Sequence, residues 1–177
     1  MNSSQFLNDK LNESLLKCGE YVDQVRIISD KLVSQYTNSL DELMKEVMDN
    51  VTNADNVSDD VICRYQLELS GALYFIKSNT ESFGFYDDIS KLNKQVAYNN
   101  AYSNNQLKAL ESNTKVTVKD NELAADMGSL DEGIVNIIYS RSYKIIKSKV
   151  EAAEEMVRTL SKTITARIAD KQVLNNN

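Results

Sequence analysis

From residue 7 onward, apolar side chains return every three or four positions: Leu7, Leu11, Leu15, Cys18, Val22, Val25, Ile28, Leu32, Tyr36, Leu40, Leu43, Val47 and Val51. Most residues between them are Asp, Glu, Lys, Asn, Gln or Ser. This spacing is the seam of a coiled coil. It predicts a helix from near Ser4 to near Asn50, roughly 70 Å long at the rise of an α-helix. Gly19 is its weak point, costing about 1 kcal/mol relative to Ala.

Residues 52–57 read as a loop, and Ser58 as an N-cap, with Asp59 and Asp60 set against the helix dipole. The next stripe is Ile62, Tyr65, Leu69, Ala72 or Leu73, and Ile76. It falters at residues 82–86, around Gly84. A second stripe of Ile89, Leu92 and Val96 follows. Either one helix runs on through a phase shift or two helices meet near Gly84; no proline enforces a stop, which favours one continuous helix. Residues 98–106 are polar almost all round, which suits a docked helix. Leu107 and Leu110 resume the apolar face before a turn at Ser112-Asn113.

Thr117 with Asp120, and Ser129 with Glu132, both have capping-box spacing. A short helix over about 118–127 should therefore lead into a long one. The expected stripe of that last helix is Leu130, Ile134, Ile137, Arg141, Ile145, Ser148, Ala152, Met156, Leu160, Ile164 and Ile168. The tail from Leu174 to Asn177 should fray. The fold class is thus all-α: long antiparallel helices forming a bundle or coiled coil, oligomeric, in one elongated domain over residues 1–177. Its parts are an acidic helix and loop (1–57), a middle region (58–113) and a long C-terminal helix (114–177).

Composition sharpens this picture. There is no proline among 177 residues, only five glycines, no tryptophan, and 7% aromatics. Such a chain fits a thin core better than a thick one. The formal net charge is −6, but it is uneven. Residues 1–60 hold five Lys/Arg against twelve Asp/Glu, residues 61–120 seven against six, and residues 121–177 eight against eight. Cys18 and Cys63 form no disulfide framework, and their apolar surroundings in sequence suggest buried thiols. The start lacks the basic and apolar regions of a secretory leader, and no apolar run approaches the roughly 20 residues of a membrane span. A cytoplasmic chain is expected.

Candidate chemistry is sparse. The chain has no histidine, so the commonest general base near neutral pH is missing, and no phosphate-cradling glycine motif occurs. No enzyme, cofactor, metal or small-molecule substrate is expected. Adjacent carboxylates such as Asp87-Asp88 and Glu154-Glu155 point about 100° apart on a helix and read as solvated faces. The most distinctive feature is lysine interleaved with tyrosine. Lys91, Lys94, Tyr98 and Tyr102 share one face by spacing, with Lys108 nearby. Lysines neutralise phosphates and tyrosines stack on unpaired bases, so this set is a candidate single-strand-binding face. The competing expectation packs the tyrosines into a bundle. A second set, Arg141, Lys144, Lys147 and Lys149 around Tyr139 and Tyr143, spreads around its helix. Residues 149–167 read as an oligomerisation or bundle helix. Its expected contacts are Ile145, Ala152, Met156, Leu160 and Ile164, with Glu154 and Arg158 paired along it.

The order of a basic-aromatic helix (residues 91–98), a polar turn, the segment 116–126, and a final helix carrying 129–131 and 139–149 resembles the phage recombination mediators of the UvsY type, over residues 85–165. The resemblance implies a helical oligomer that binds single-stranded DNA, contacts a recombinase and a single-strand-binding protein, and aids recombinase loading. It places DNA contacts at Lys91, Lys94 and Lys108. Asn99, Asn100, Asn104 and Asn105 stand where that family carries more positive charge. The rival expectation is a structural or scaffolding coiled coil with protein partners only, such as a virion or assembly component.

Overall fold

The computed structural model describes residues 3–52 and 57–175, with side chains over 19–51 and 57–173. Four α-helices occupy nearly all of them: α1 (Ser3–Val47), α2 (Asp59–Glu111), α3 (Val118–Gly128) and α4 (Leu130–Asn175). A π-helical turn, Met48–Thr52, follows α1. No strand occurs among the described residues. The side chains of Leu7, Leu11, Leu15 and Cys18, most of the 52–57 loop, and the side chains of the 174–177 tail lie outside the described set.

Local signals set the helix ends. The Ser58 carbonyl accepts from the Val61 and Ile62 amides, and its hydroxyl accepts from Val61 N at 3.4 Å. The α2 helix runs unbroken through Gly84. It ends where Thr114 N donates to the Ala109 carbonyl and Asn113 N to that of Leu110. This Schellman closure needs a left-handed residue, and Asn113, at φ 51°, supplies it. The Thr117–Asp120 capping box forms in both directions and opens α3. Ser129 behaves differently from expectation. It is buried, its amide closes α3 on the Ala125 carbonyl, and its hydroxyl donates back to Asp126 O.

The described chain divides into two compact units. The first comprises Met1–Leu32 and Phe85–Ser142, the second Val33–Gly84 and Tyr143–Asn177. In the second, α2 and α4 run antiparallel, joined by Gln66–Ser161 and Lys77–Glu154 contacts. Its buried side chains include Val33, Leu40, Val47, Ile62, Tyr65, Leu69, Leu73, Ile76, Phe83, Ile146, Val150, Ala153 and Leu160. Each fully buried Leu or Ile contributes about 1.5–3 kcal/mol relative to exposure. The α2 stripe is the expected one, with Leu73 rather than Ala72 in the seam.

In α1 and α4 the seam coincides with the expected stripe at Leu40, Val47 and Leu160, and lies about one position from it over 28–37 and 141–153. Thr37 is fully buried and Tyr36 is part-exposed, its ring meeting Phe83 edge-on at 4.9 Å. Thr37 is satisfied there: its hydroxyl donates to Asp41 at 3.0 Å and accepts from Lys149 Nζ at 3.0 Å, and Lys149 also pairs with Asp41. In α4 the buried positions are Ser142, Ile146, Val150, Ala153 and Leu160, whereas Leu130, Ile137, Arg141, Ser148, Ala152 and Ile168 are exposed. Cys63, expected to be buried, is also exposed, because Ile62 and Tyr65 take the inner positions around it.

The first unit is built the other way round. Among the described side chains, six of the seven buried polar residues belong to it: Ser29, Asp87, Ser90, Asn121, Ser129 and Ser142. Of the fourteen buried apolar residues among the described side chains, only Ala125 falls in it. Its part of α2 packs against α3 and α4 through polar and small side chains. Asn136 Nδ2 donates to Ser90 Oγ at 3.0 Å, and Ser140 donates to Asp87 Oδ1. Asn105 Nδ2 donates to Asn121 Oδ1 at 2.8 Å. At Gly128 an added Cβ would stand 2.5 Å from the Ala101 Cβ, so α3 approaches α2 there as only glycine permits.

Candidate interaction surface

In the first unit, α2 carries two opposite faces. The inner one holds Asp87, Ser90, Lys94, Ala101 and Asn105. The outer one holds Phe85, Ile89, Leu92, Val96, Leu107 and Leu110, which are 38% to 77% exposed. At about 100° per residue these six fall within an arc of roughly 60°. Phe85, Val96 and Leu107 stand eleven residues apart. Eleven-residue periodicity keeps a seam on one side of a nearly straight helix. Ile89, Leu92 and Val96, read from sequence as a core stripe, therefore face outward. The phase of Ile76 and Phe83 continues instead through Asp87 and Ser90.

This inversion extends through the unit. Among the described side chains, seventeen of the twenty-four exposed large apolar ones lie in it, including Leu123 and Met127 of α3 and Ile137 of α4. Surfaces rarely carry contiguous apolar patches above a few hundred Å² unless a partner covers them. Tyr86, on the flank of the seam, stacks on Tyr139 with ring centroids 5.6 Å apart.

The lysine–tyrosine set lies on the other side of α2. Lys91 Nζ is held by Asp87 at 2.7 Å and Asp88 at 3.4 Å, and the Asp87 hydrogen bond is the chief cause of its raised pKa. Tyr98 and Tyr102 are half-buried. Desolvation, followed by the Asp126 and Glu122 charges of α3, pushes the Tyr98 phenol pKa up. The exposed Lys94 and Lys108 complete the set, with Lys94 Cε 3.7 Å from where a Cβ on Gly133 would stand. The structure thus brings Lys94, Tyr98 and Tyr102 toward α3 and α4 of the same chain, beside acidic groups. In the second basic set, Arg141 pairs with Asp30 at 3.7 Å, Lys149 with Asp41, and Tyr143 packs on Gly84.

The expected oligomerisation residues divide similarly. Leu160 belongs to the core of the second unit, Ile145, Met156 and Ile164 are half-buried, and Ala152 is exposed. Ala152, Met156 and Leu160 line a shallow groove of about 440 Å³ with Val47, Met48 and Val51. Glu154 pairs chiefly with Lys77 at 2.5 Å, which lowers its pKa, and reaches Arg158 at 4.0 Å. Among the described residues no helix is long and apolar enough to cross a membrane. No family model matches the chain, and neither a curated protein nor a solved structure does.

Proposed function

We propose that the protein is a non-enzymatic helical scaffold that works by docking protein partners through the outer face of its first unit. One observation carries this reading: over 85–96 and again at 107–110, α2 turns apolar side chains to solvent while Asp87 and Ser90 are buried on its opposite side. A helix in water gains by burying its apolar stripe. The opposite arrangement is stable where another protein surface supplies the missing cover. The face is also of the right kind. Its line carries aliphatic and aromatic residues at both ends with Asn99 and Ser103 between them, and its rim carries Asn and Gln, much as charge is depleted from interface cores.

The single-strand-binding reading draws on Lys94, Lys108, Tyr98 and Tyr102. Against it, Lys91 is engaged by two carboxylates and Tyr98 lies beside the α3 acids. Titrating labelled oligo-dT with the purified chain at about 50 mM salt separates the two readings. The scaffold reading expects no salt-sensitive binding. Saturable binding that weakens steeply with salt, and is lost in Lys94→Ala/Lys108→Ala, would overturn it in favour of a nucleic-acid accessory.

A further inference from the structure

We infer that the occupant of the α2 seam is a second copy of this chain, paired parallel and in register over residues 85–110. The inference rests on the docking reading above and names its partner.

Charge argues for a self-pairing face. The chain carries a net charge of −6, so two copies repel unless they meet where charge is absent. Between Leu92 and Leu107 the only ionisable side chains other than tyrosine belong to Lys94, which lies on the inner side. The seam positions there and their flanks are Asn93, Gln95, Asn99, Asn100, Ser103, Asn104 and Gln106. A face meant for a charged partner would use charge to select it. Between Leu92 and Leu107 this one has nothing to repel its own copy, and at the N-terminal flank the Asp88 carboxylate is offset by Lys91 Nζ at 3.4 Å.

Area is sufficient. At roughly 100 Å² of accessible surface each, the six exposed seam side chains present about 600 Å². A standard interface takes about 800 Å² per partner, and the flanking amides supply the remainder.

Register follows from the order of seam residues. The outer line reads Phe85, Ile89, Leu92, Val96, Asn99, Ser103, Leu107, Leu110. Antiparallel pairing about its midpoint sets Leu92 against Ser103 and Val96 against Asn99, leaving polar groups opposite apolar ones. Parallel pairing in register sets every apolar residue on its own kind and places Asn99 on Asn99, the arrangement by which a seam asparagine fixes register.

Sedimentation equilibrium of the full chain tests this. The expected result is a dimer that dissociates at least about a hundredfold more readily in Leu92→Glu/Val96→Glu, with unchanged helix content, since both side chains are exposed in the single chain. A second measurement needs no disruption. With Cys18→Ser and Cys63→Ser in place, Ser103→Cys should give a disulfide-linked dimer on mild oxidation. A monomeric wild type at about ten micromolar, or a dimer indifferent to the glutamates, overturns self-pairing at this seam. A dimer with no Ser103→Cys linkage overturns the register. A monomer whose Leu92 position still cross-links to another protein leaves the docking reading standing and removes only the second copy.

Discussion

Replacing Gly128 with alanine isolates the close approach of α3 to α2. A helical glycine normally gains up to about 1 kcal/mol on becoming alanine, less at a helix end such as this. Here the new Cβ would lie 2.5 Å from the Ala101 Cβ and 3.9 Å from its Cα. Carbon–carbon contacts are optimal at roughly 3.5–4 Å, so α3 must withdraw by about 1 Å. Overpacking of that order costs about 1–3 kcal/mol, leaving a net loss of about 1–2 kcal/mol. Gly133 provides the contrast in the same unit. Its nearest obstacle is the flexible end of Lys94 at 3.7 Å, so Gly133→Ala should stabilise by about 0.5–1 kcal/mol. Thermal melts followed by far-UV circular dichroism read both, at about 2–4 °C per kcal/mol for a chain of this size. Adding Ala101→Gly to Gly128→Ala should recover part of the loss, beyond what the single changes sum to. Gly128→Ala melting at or above wild type would refute the close approach.

Three further outcomes follow from the packing. Ser142 Oγ is buried without a hydrogen-bond partner, so Ser142→Ala should raise stability by about 1 kcal/mol, read as a later urea midpoint; a loss of that size would mean the hydroxyl is satisfied. Leu160 is core, so Leu160→Ala should cost about 2–5 kcal/mol in denaturant titration and lower the melting temperature of the single chain; a change confined to oligomer size would place it at an interface instead. The Asp59 pKa is lowered from 3.8 by hydrogen bonds from Lys171 and then Arg167, so its contribution is present above that value and lost as pH falls below it. The stability gap between wild type and Asp59→Asn should therefore close on acidification below about pH 4, and a gap that persists there would contradict the pairing.

Much of the secondary structure was legible because its signals are local. Ser58, Thr117 with Asp120, and the Ser112-Asn113 turn each act through hydrogen bonds a few residues away, and the continuity of α2 followed from the lack of proline. The α2 stripe from Ile62 to Ile76 was legible because the core of the second unit is apolar. The first unit defeated the same rule. Counting Ile89, Leu92 and Val96 as core assumes that apolar means inside, whereas Asp87, Ser90 and Asn121 are buried because Lys91, Ser140, Asn136 and Asn105 satisfy them. The available signal was phase. Extending the step from Ile76 to Phe83 leads to Asp87 and Ser90, and places the hydrophobic residues on the far side of the helix. Tyr98 and Tyr102 were ambiguous because spacing shows that residues share a face, but not what that face meets.

A photo-crosslinking amino acid at Leu92, with one at the exposed Asp131 as control, tests the docking face most directly in the cells that produce the protein. The account predicts a discrete protein adduct from position 92, its mass that of two chains if the seam pairs with itself, and none of comparable yield from position 131. Nucleic-acid adducts at position 92, or no adduct there beyond the control, would contradict it.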